Sequence, residues 1–201
     1  MYITCLDVEG VLVPEIWVAF AEESGIPELK KTTRDEPDYD KLMKWRLGVL
    51  KEHGLGLKEI QETIEKIQPL PGAKEFLDEL RSFSQVILIS DTFAEFASPL
   101  MEKLGRPTLF CNSLEVAENG EIIGYKMRVE QTKLTTVKAL QSIGYDTIAS
   151  GDSYNDLGMI QASKAGFLFR STEQIKKDHP EITAFETYDE LFEAIKKAME
   201  E

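Results

Sequence analysis

Three short apolar runs, far apart in the chain, each end abruptly in acids and hydroxyls. This recurrence constrains the fold more than any other feature of the sequence. The first run, Tyr2 to Leu6, leads into Asp7, Val8, Glu9 and Gly10. The second, Val86 to Ile89, leads into Ser90, Asp91 and Thr92, and the third, Thr147 to Ala149, into Ser150-Gly151-Asp152-Ser153-Tyr154-Asn155-Asp156. Such runs read as buried strands, and Gly10 permits a turn that a side chain would obstruct. One strand ending in polar residues is an ordinary strand–loop junction. Three of them converge on a site, because ligands of open α/β sheets bind beyond the carboxyl ends of the strands.

The rest of the chain supplies the helices such a sheet needs. Pro14 suits a first helical turn, and Trp17, Phe20 and Ala21 follow at helical spacing. Gly25-Ile26-Pro27 and a polar stretch from Lys30 to Asp38 interrupt this pattern. A second helix is predicted over Tyr39 to Glu52, with Tyr39, Leu42, Met43, Leu47 and Leu50 on one stripe, and a third over Leu57 to Ile67. Pro69-Leu70-Pro71-Gly72 is punctuation, so residues 14–69 read as a helical insertion after the first strand. Whether these helices stand apart or simply pack on the sheet is open at this point. From Pro71 onward strand and helix alternate. Helices are predicted over Gly72–Ser82, Phe93–Leu104, Thr132–Ile143 and Asp156–Ala162, then two more near the C-terminus. Strands are predicted over Gln85–Ile89, Thr108–Cys111, Thr147–Ala149 and Gly166–Phe169. Leu114–Ala117 and Ile122–Met127 form a hairpin about Asn119-Gly120. The expected architecture is α/β: a Rossmann-like parallel sheet with helices on both faces. A catalytic core of residues 1–13 and 70–201 would carry the insertion 14–69.

The chain has 201 residues and a net charge of −13, which would repel a nucleic-acid backbone or an anionic membrane, so neither is an expected partner. Cys5 and Cys111 are too few for a disulfide scaffold and read as small core residues in a reducing interior. No basic leader precedes the first strand, and no apolar run approaches the ~20 residues that span a bilayer. A cytoplasmic location is the expectation. No phosphate-binding G-x-x-x-x-G-K stretch and no G-x-G-x-x-G stretch is present.

Taken in order, Asp7-x-Glu9, Ser90, Lys133 and Gly151-Asp152-x-x-Asn155-Asp156 resemble the four motifs of the haloacid dehalogenase-like phosphatases. The resemblance spans most of the chain. In one respect the chain departs from it, since the second acid of the first motif is usually aspartate and here is Glu9. That variant, with Glu15, Arg46 and the run Ile89-Ser90-Asp91-Thr92-Phe93, is similar to the branch of bifunctional phosphoserine phosphatases/homoserine phosphotransferases. The resemblance implies that Asp7 is the nucleophile, forming an aspartyl-phosphate. It implies that Glu9 is the general acid and base, and that Asp7, Glu9 (through its backbone carbonyl) and Asp152 hold the metal while Asp156 supports them. It also implies that the insertion is a cap closing over the site.

The residues support several of these roles on their own chemistry. Four carboxylates in one cleft repel one another unless a divalent cation neutralises them, and all-oxygen ligands favour Mg²⁺. Asp7 alone would serve equally as a mere metal ligand. Glu9 differs from aspartate more in reach than in acidity, its free pKa being only ~0.4 higher; a longer acid suits a bulkier acceptor such as homoserine. Ser90 and the Asp91 backbone N–H are placed to hold phosphate oxygens. Lys133 lies in a first helical turn, where the helix dipole disfavours a cation, and this misfit agrees with a task of neutralising a phosphoryl group. Arg46 sits in the apolar stripe between Met43 and Leu47. It is either an arginine snorkelling from the stripe edge or, with Glu15, a reader of a zwitterionic amino-acid phosphate. Asn155 is a further candidate for substrate contact. His53 and His179 are isolated and are not metal candidates.

The leading expectation is a Mg²⁺-dependent phosphoserine phosphatase that also transfers to homoserine. A phosphatase of phosphosugars is the rival, and a silent phosphoamino-acid binding protein the alternative from another class. A dehalogenase has no use for the acid cluster.

Overall fold

A computed structural model describes residues 1–32, 35–36 and 38–200. Within the polar interruption read from Lys30 to Asp38, Thr33, Arg34 and Pro37 lie outside the described residues.

The first run forms β1 (Tyr2–Leu6) and is followed by three helices, α1 (Ile16–Ser24), α2 (Tyr39–Glu52) and α3 (Leu57–Ile64). Alternation then begins: α4 (Ala73–Phe83), β2 (Gln85–Phe93), α5 (Ala94–Lys103), β3 (Thr108–Val116), β4 (Ile122–Lys126) and α6 (Thr132–Ser142). The chain closes with β5 (Asp146–Gly151), α7 (Leu157–Ala162), β6 (Ala165–Phe169), α8 (Glu173–Asp178), β7 (Ala184–Phe185) and α9 (Tyr188–Glu200). The sheet runs β4-β3-β2-β1-β5-β6-β7 and is parallel except for the β3–β4 hairpin. This is the α/β architecture expected from the sequence.

Strand order explains the convergence of the motifs. β1 lies between β2 and β5, with Leu6 paired to Leu88 on one side and to Ser150 on the other. All three acid-bearing ends therefore open at one edge of the sheet, where the order of connections reverses. Such a switch point is the natural crevice of an open α/β sheet. Alternation along β1 sends Leu6 to one face and Ile3 and Cys5 to the other. The first face packs against α4, α5 and α9 through Leu77, Phe96 and Leu191, and the same apolar cluster continues into α1–α3 through Phe20, Met43 and Ile60. The second face is covered by α6, α7 and α8 through Val137, Met159 and Ile175. The two crossings into and out of the helical segment lie side by side, since the Leu70 N–H donates to the Leu12 carbonyl at 2.9 Å.

Three details differ from the sequence expectation. β2 does not open after Ile89; it continues to Phe93, which pairs with Asn112 after a register shift. β3 does not stop at Cys111 but runs on into the hairpin, so the two short strands read there are one. Cys111 is accordingly only half-buried, whereas Cys5 is fully enclosed; both thiols are free. The two-residue β7, which escaped the sequence reading, completes the far edge.

Candidate active site

Asp7 lies one residue past the central strand, held by its N–H to the Ser150 carbonyl at 3.0 Å. It is only 4% exposed. The turn that follows depends on Gly10, whose φ is +76° and at which a Cβ would meet the Asp152 carboxylate oxygen at 2.4 Å. A side chain at residue 10 would thus be strained in its backbone and would push into the second acidic loop. Gly10 is what lets the β1 and β5 loops touch.

Lys133 is the hub of the charges. Its Nζ lies 2.8 Å from Asp7 Oδ1 and 2.5 Å from Asp156 Oδ1, and it is 4% exposed. Burial works against its charge, but Asp156, Asp7 and Asp91 outweigh that and hold the ammonium protonated far above its ordinary range. The dipole misfit of a lysine in a first helical turn is therefore answered by the acids it faces. Asp156 is wholly buried, and its other oxygen accepts from the N–H groups of Asp152 and Ser153 at 3.0 Å each. Asp152 is half-buried and is further tied down by its carbonyl, which accepts from Ser171 at 2.6 Å.

Carboxylate oxygens of Asp7, Asp152 and Asp156 all fall within 4.8 Å of one another. One lysine does not neutralise three acids. Burial, reinforced by Asp156, raises the Asp7 carboxyl well above its usual range, and the same causes push Asp152 up to about 6. Hard oxygen donors packed this closely are the donor set of a divalent cation. The side chain of Glu9 is not part of that set. Its Oε2 instead accepts from the Ile16 N–H at 2.9 Å, at the start of α1, where the N-cap residue Glu15 makes no side-chain bond of its own. The extra methylene of glutamate at this position spans the gap to α1. Burial, then the nearby Glu15 charge, lifts the Glu9 carboxyl to about 7, suited to giving and taking a proton near neutrality.

Ser90 is 2% exposed, and its Oγ accepts from the Thr92 N–H at 3.2 Å. Because β2 continues to Phe93, the Asp91 N–H stands three residues before α5 rather than at its N-terminus. The Asp91 carboxylate accepts from Thr132 on one oxygen and from Asn155 at 3.0 Å on the other. Asn155 is exposed.

The α1–α3 segment contributes Arg46, 6% exposed and stacked 4.5 Å over the Trp17 ring, with its charge felt by Glu9. The guanidinium donates to the Lys31 carbonyl at 2.7 Å, while its buried Nε has no partner. Of the two readings open for this residue, snorkelling to solvent is overturned by its burial. Burial pulls Arg46 down to about 10, with Tyr39, Glu9 and Glu15 holding it up, so it stays charged at neutral pH. Glu15 is exposed, and its charge acts on Glu9, Arg46 and Asp152.

Sequence reasoning missed Tyr39, Thr132 and Asn112. Tyr39 lies two turns before Arg46 on the same face of α2, and its hydroxyl is raised by burial and then by the charge of Asp91. That spacing was available in the sequence. Asn112 holds the Asp91 carbonyl at 2.9 Å, and no local signal marks it.

A parallel sheet whose central strand ends in a buried aspartate, paired with a lysine and flanked by two more acids, defines a hydrolase of the haloacid dehalogenase type. The family model described as haloacid dehalogenase-like hydrolase matches residues 5–164, and the chain belongs to that family. Within it, the chain is 52% identical to phosphoserine phosphatase ThrH of Pseudomonas aeruginosa over 98% of this chain and 97% of that protein. A phosphoserine phosphatase of Pseudomonas syringae pv. tomato is 50% identical, covering 98% of this chain and 83% of the other. Among solved structures, a phospho-aspartyl intermediate analogue of phosphoserine phosphatase superposes with a TM-score of 0.68 at 26% identity, over 87% of this chain and 89% of that one. No described helix is long and apolar enough to cross a membrane.

Proposed function

We propose that this enzyme is a Mg²⁺-dependent phosphoserine phosphatase that also passes the phosphoryl group to homoserine, and that residues 14–69 act as its cap. The observation that carries the reading is the buried Asp7, paired with Lys133 at 2.8 Å just past the end of the central strand. The likeness to proteins named phosphoserine phosphatase supports the choice of substrate.

In the first step an Asp7 carboxylate oxygen attacks phosphorus, and the bond from phosphorus to the serine oxygen breaks. Glu9, protonated at neutral pH to a useful degree, gives its proton to the departing alkoxide. In the second step Glu9 takes a proton from water, which attacks the phosphoaspartate and releases phosphate and free Asp7. A homoserine hydroxyl in place of water yields a phosphomonoester by the same exchange of bonds. Lys133 and the Ser90 hydroxyl hold the equatorial oxygens, whose charge persists throughout. Mg²⁺ held by Asp7, Asp152 and the Glu9 carbonyl would neutralise the acids and the incoming phosphate, with Asp156 steadying the set.

Phosphoserine incubated with and without Mg²⁺ and homoserine tests the reading directly. The expected result is Mg²⁺-dependent phosphate release, with phosphohomoserine appearing when homoserine is present. Hydrolysis of phosphosugars but not of phosphoserine would transfer the assignment to the rival.

Two further outcomes are expected. Saturating Mg²⁺ should raise the Tm of metal-stripped protein by about 5–10 °C, since a ligand at a hundred times its Kd adds about 2.7 kcal/mol and each kcal/mol moves a chain of this size by about 2–4 °C. Asp152→Asn should lose most of that rise; a rise kept intact would place the ion elsewhere. The unpartnered Arg46 Nε fits a substrate carboxylate. Arg46→Ala should therefore raise KM for phosphoserine by about tenfold or more, one charge-assisted hydrogen bond being worth about 1.5–3 kcal/mol. Turnover of 4-nitrophenyl phosphate should change little; equal losses on both substrates would argue against a carboxylate reader.

A further inference from the structure

Asp91 stands where an acid is least expected, within the phosphate-holding segment of an anion-binding cleft. Its carbonyl and its two carboxylate oxygens are each engaged from a different part of the chain. One carboxylate oxygen accepts from the hydroxyl of Thr132, the residue before Lys133. The other accepts from Asn155, the residue before Asp156, at 3.0 Å. Its carbonyl accepts from Asn112 Nδ2 at 2.9 Å, and Asn112 in turn accepts from the Arg128 N–H at 2.9 Å. Arg128 closes the ring on α6, donating to the Thr132 carbonyl at 3.2 Å and to the Thr136 hydroxyl at 2.5 Å.

Helix α6 lacks a cap of its own. Its N-cap residue Gln131 has φ +47° and makes no side-chain cap bond, and the first turn holds no acid. Asp91 comes from another strand to place a negative charge there, where the helix dipole favours one. The Thr132 contact fixes the turn from which Lys133 projects, and the Asn155 contact fixes the loop that ends in Asp156.

We propose that Asp91 is a positioning residue, a three-way tie that sets Lys133 and the Asp152–Asp156 loop against Ser90, and that its side chain acts through Thr132 and Asn155 rather than on the substrate. The inference rests on Asp7 and Lys133 being the reacting pair. It goes beyond the expectation that residue 91 serves through its backbone N–H alone. A carboxylate suits this place because it accepts on both sides without a donor to satisfy.

The test compares wild type, Asp91→Ala, Asp91→Asn, Thr132→Val and Asp91→Ala/Thr132→Val on 4-nitrophenyl phosphate at saturating Mg²⁺. Wild type that fails to turn over refutes the catalytic reading itself and leaves no catalysis for Asp91 to assist. With an active wild type, Asp91→Ala should lower kcat by about 10²-fold with KM nearly unchanged, the scale of loss for an ångström of misplacement. Asp91→Asn should recover most of it, because the amide still accepts from Thr132 and can donate to a flipped Asn155. The double variant should be no worse than Asp91→Ala alone, the signature of one shared contact. Wild-type kcat in Asp91→Ala overturns the proposal. So does an Asp91→Asn variant as slow as the alanine, which would assign the charge a direct task. Should Asp91→Ala not fold, Thr132→Val removes a single arm and must still lower kcat at constant KM.

Discussion

Asp7→Asn will leave a folded protein that has lost phosphatase turnover by about 10⁴-fold or more, the scale of removing a catalytic nucleophile. An amide of the same size keeps the packing at this 4%-exposed position but does not attack phosphorus. Rapid acid quench during turnover should trap phosphoryl-enzyme in wild type and none in the variant. Stability should not fall with activity. Burial and the Asp156 charge already oppose ionisation of Asp7, so removing its charge relieves repulsion that only Lys133 offsets. The Tm of the metal-free variant is therefore expected to equal or exceed that of wild type, as when a site is kept at the expense of stability. Retention of more than a small fraction of wild-type turnover would remove Asp7 from the chemistry, whatever became of the Tm.

The two halves of this expectation come from different depths of the sequence. Strands, helices and the acid-bearing ends are local patterns: alternation, helical spacing and a change from apolar to charged residues. The α2 boundaries, Tyr39 to Glu52, coincide with the apolar stripe because a helix of that length buries one face. What escaped reading depends on partners far away in the chain. The continuation of β2 through Ser90, Asp91 and Thr92 looks like a loop in isolation, and it is a strand only because Asn112 meets Phe93 and holds the Asp91 carbonyl. Cys111-Asn112-Ser113 looks like the end of a strand for the same reason. Nor does anything near Glu9 announce that its carboxylate will cap α1; its extra methylene was legible, but the Ile16 N–H it reaches was not. The charge partners of Arg46 were half legible, as Glu15 was anticipated while Trp17, beneath its guanidinium, looked like core alone.

Asp156→Ala will behave in the opposite way to Asp7→Asn, losing fold and function together. The native carboxylate is fully buried, bound to Lys133 at 2.5 Å on one oxygen, and it accepts two backbone N–H groups at 3.0 Å on the other. Space for it is made by Gly151, where a Cβ would lie 2.2 Å from the Asp156 carboxyl carbon. Alanine removes all of these acceptors at once. It leaves the Asp152 and Ser153 N–H groups unpaired in a closed turn and Lys133 with Asp7 as its one remaining ion-pair partner among the described residues. Leaving two buried backbone N–H groups without an acceptor costs about 1–3 kcal/mol each, roughly 2–6 kcal/mol together, which for a chain of this length lowers Tm by roughly 4–24 °C. Asparagine should not rescue it. Its amide must point a donor either at the Lys133 ammonium or at the two backbone N–H groups, and both directions already present donors. The response to Mg²⁺ should vanish in both variants, because the turn that aims Asp152 has lost its anchor. A Tm within about 2 °C of wild type in Asp156→Ala, less than 1 kcal/mol on this scale, would show that the loop is held without its buried acid. Asp156 alone joins the Lys133 ammonium to those two N–H groups among the described residues, so the lysine–acid pair and the turn that carries Asp152 stand or fall as one unit.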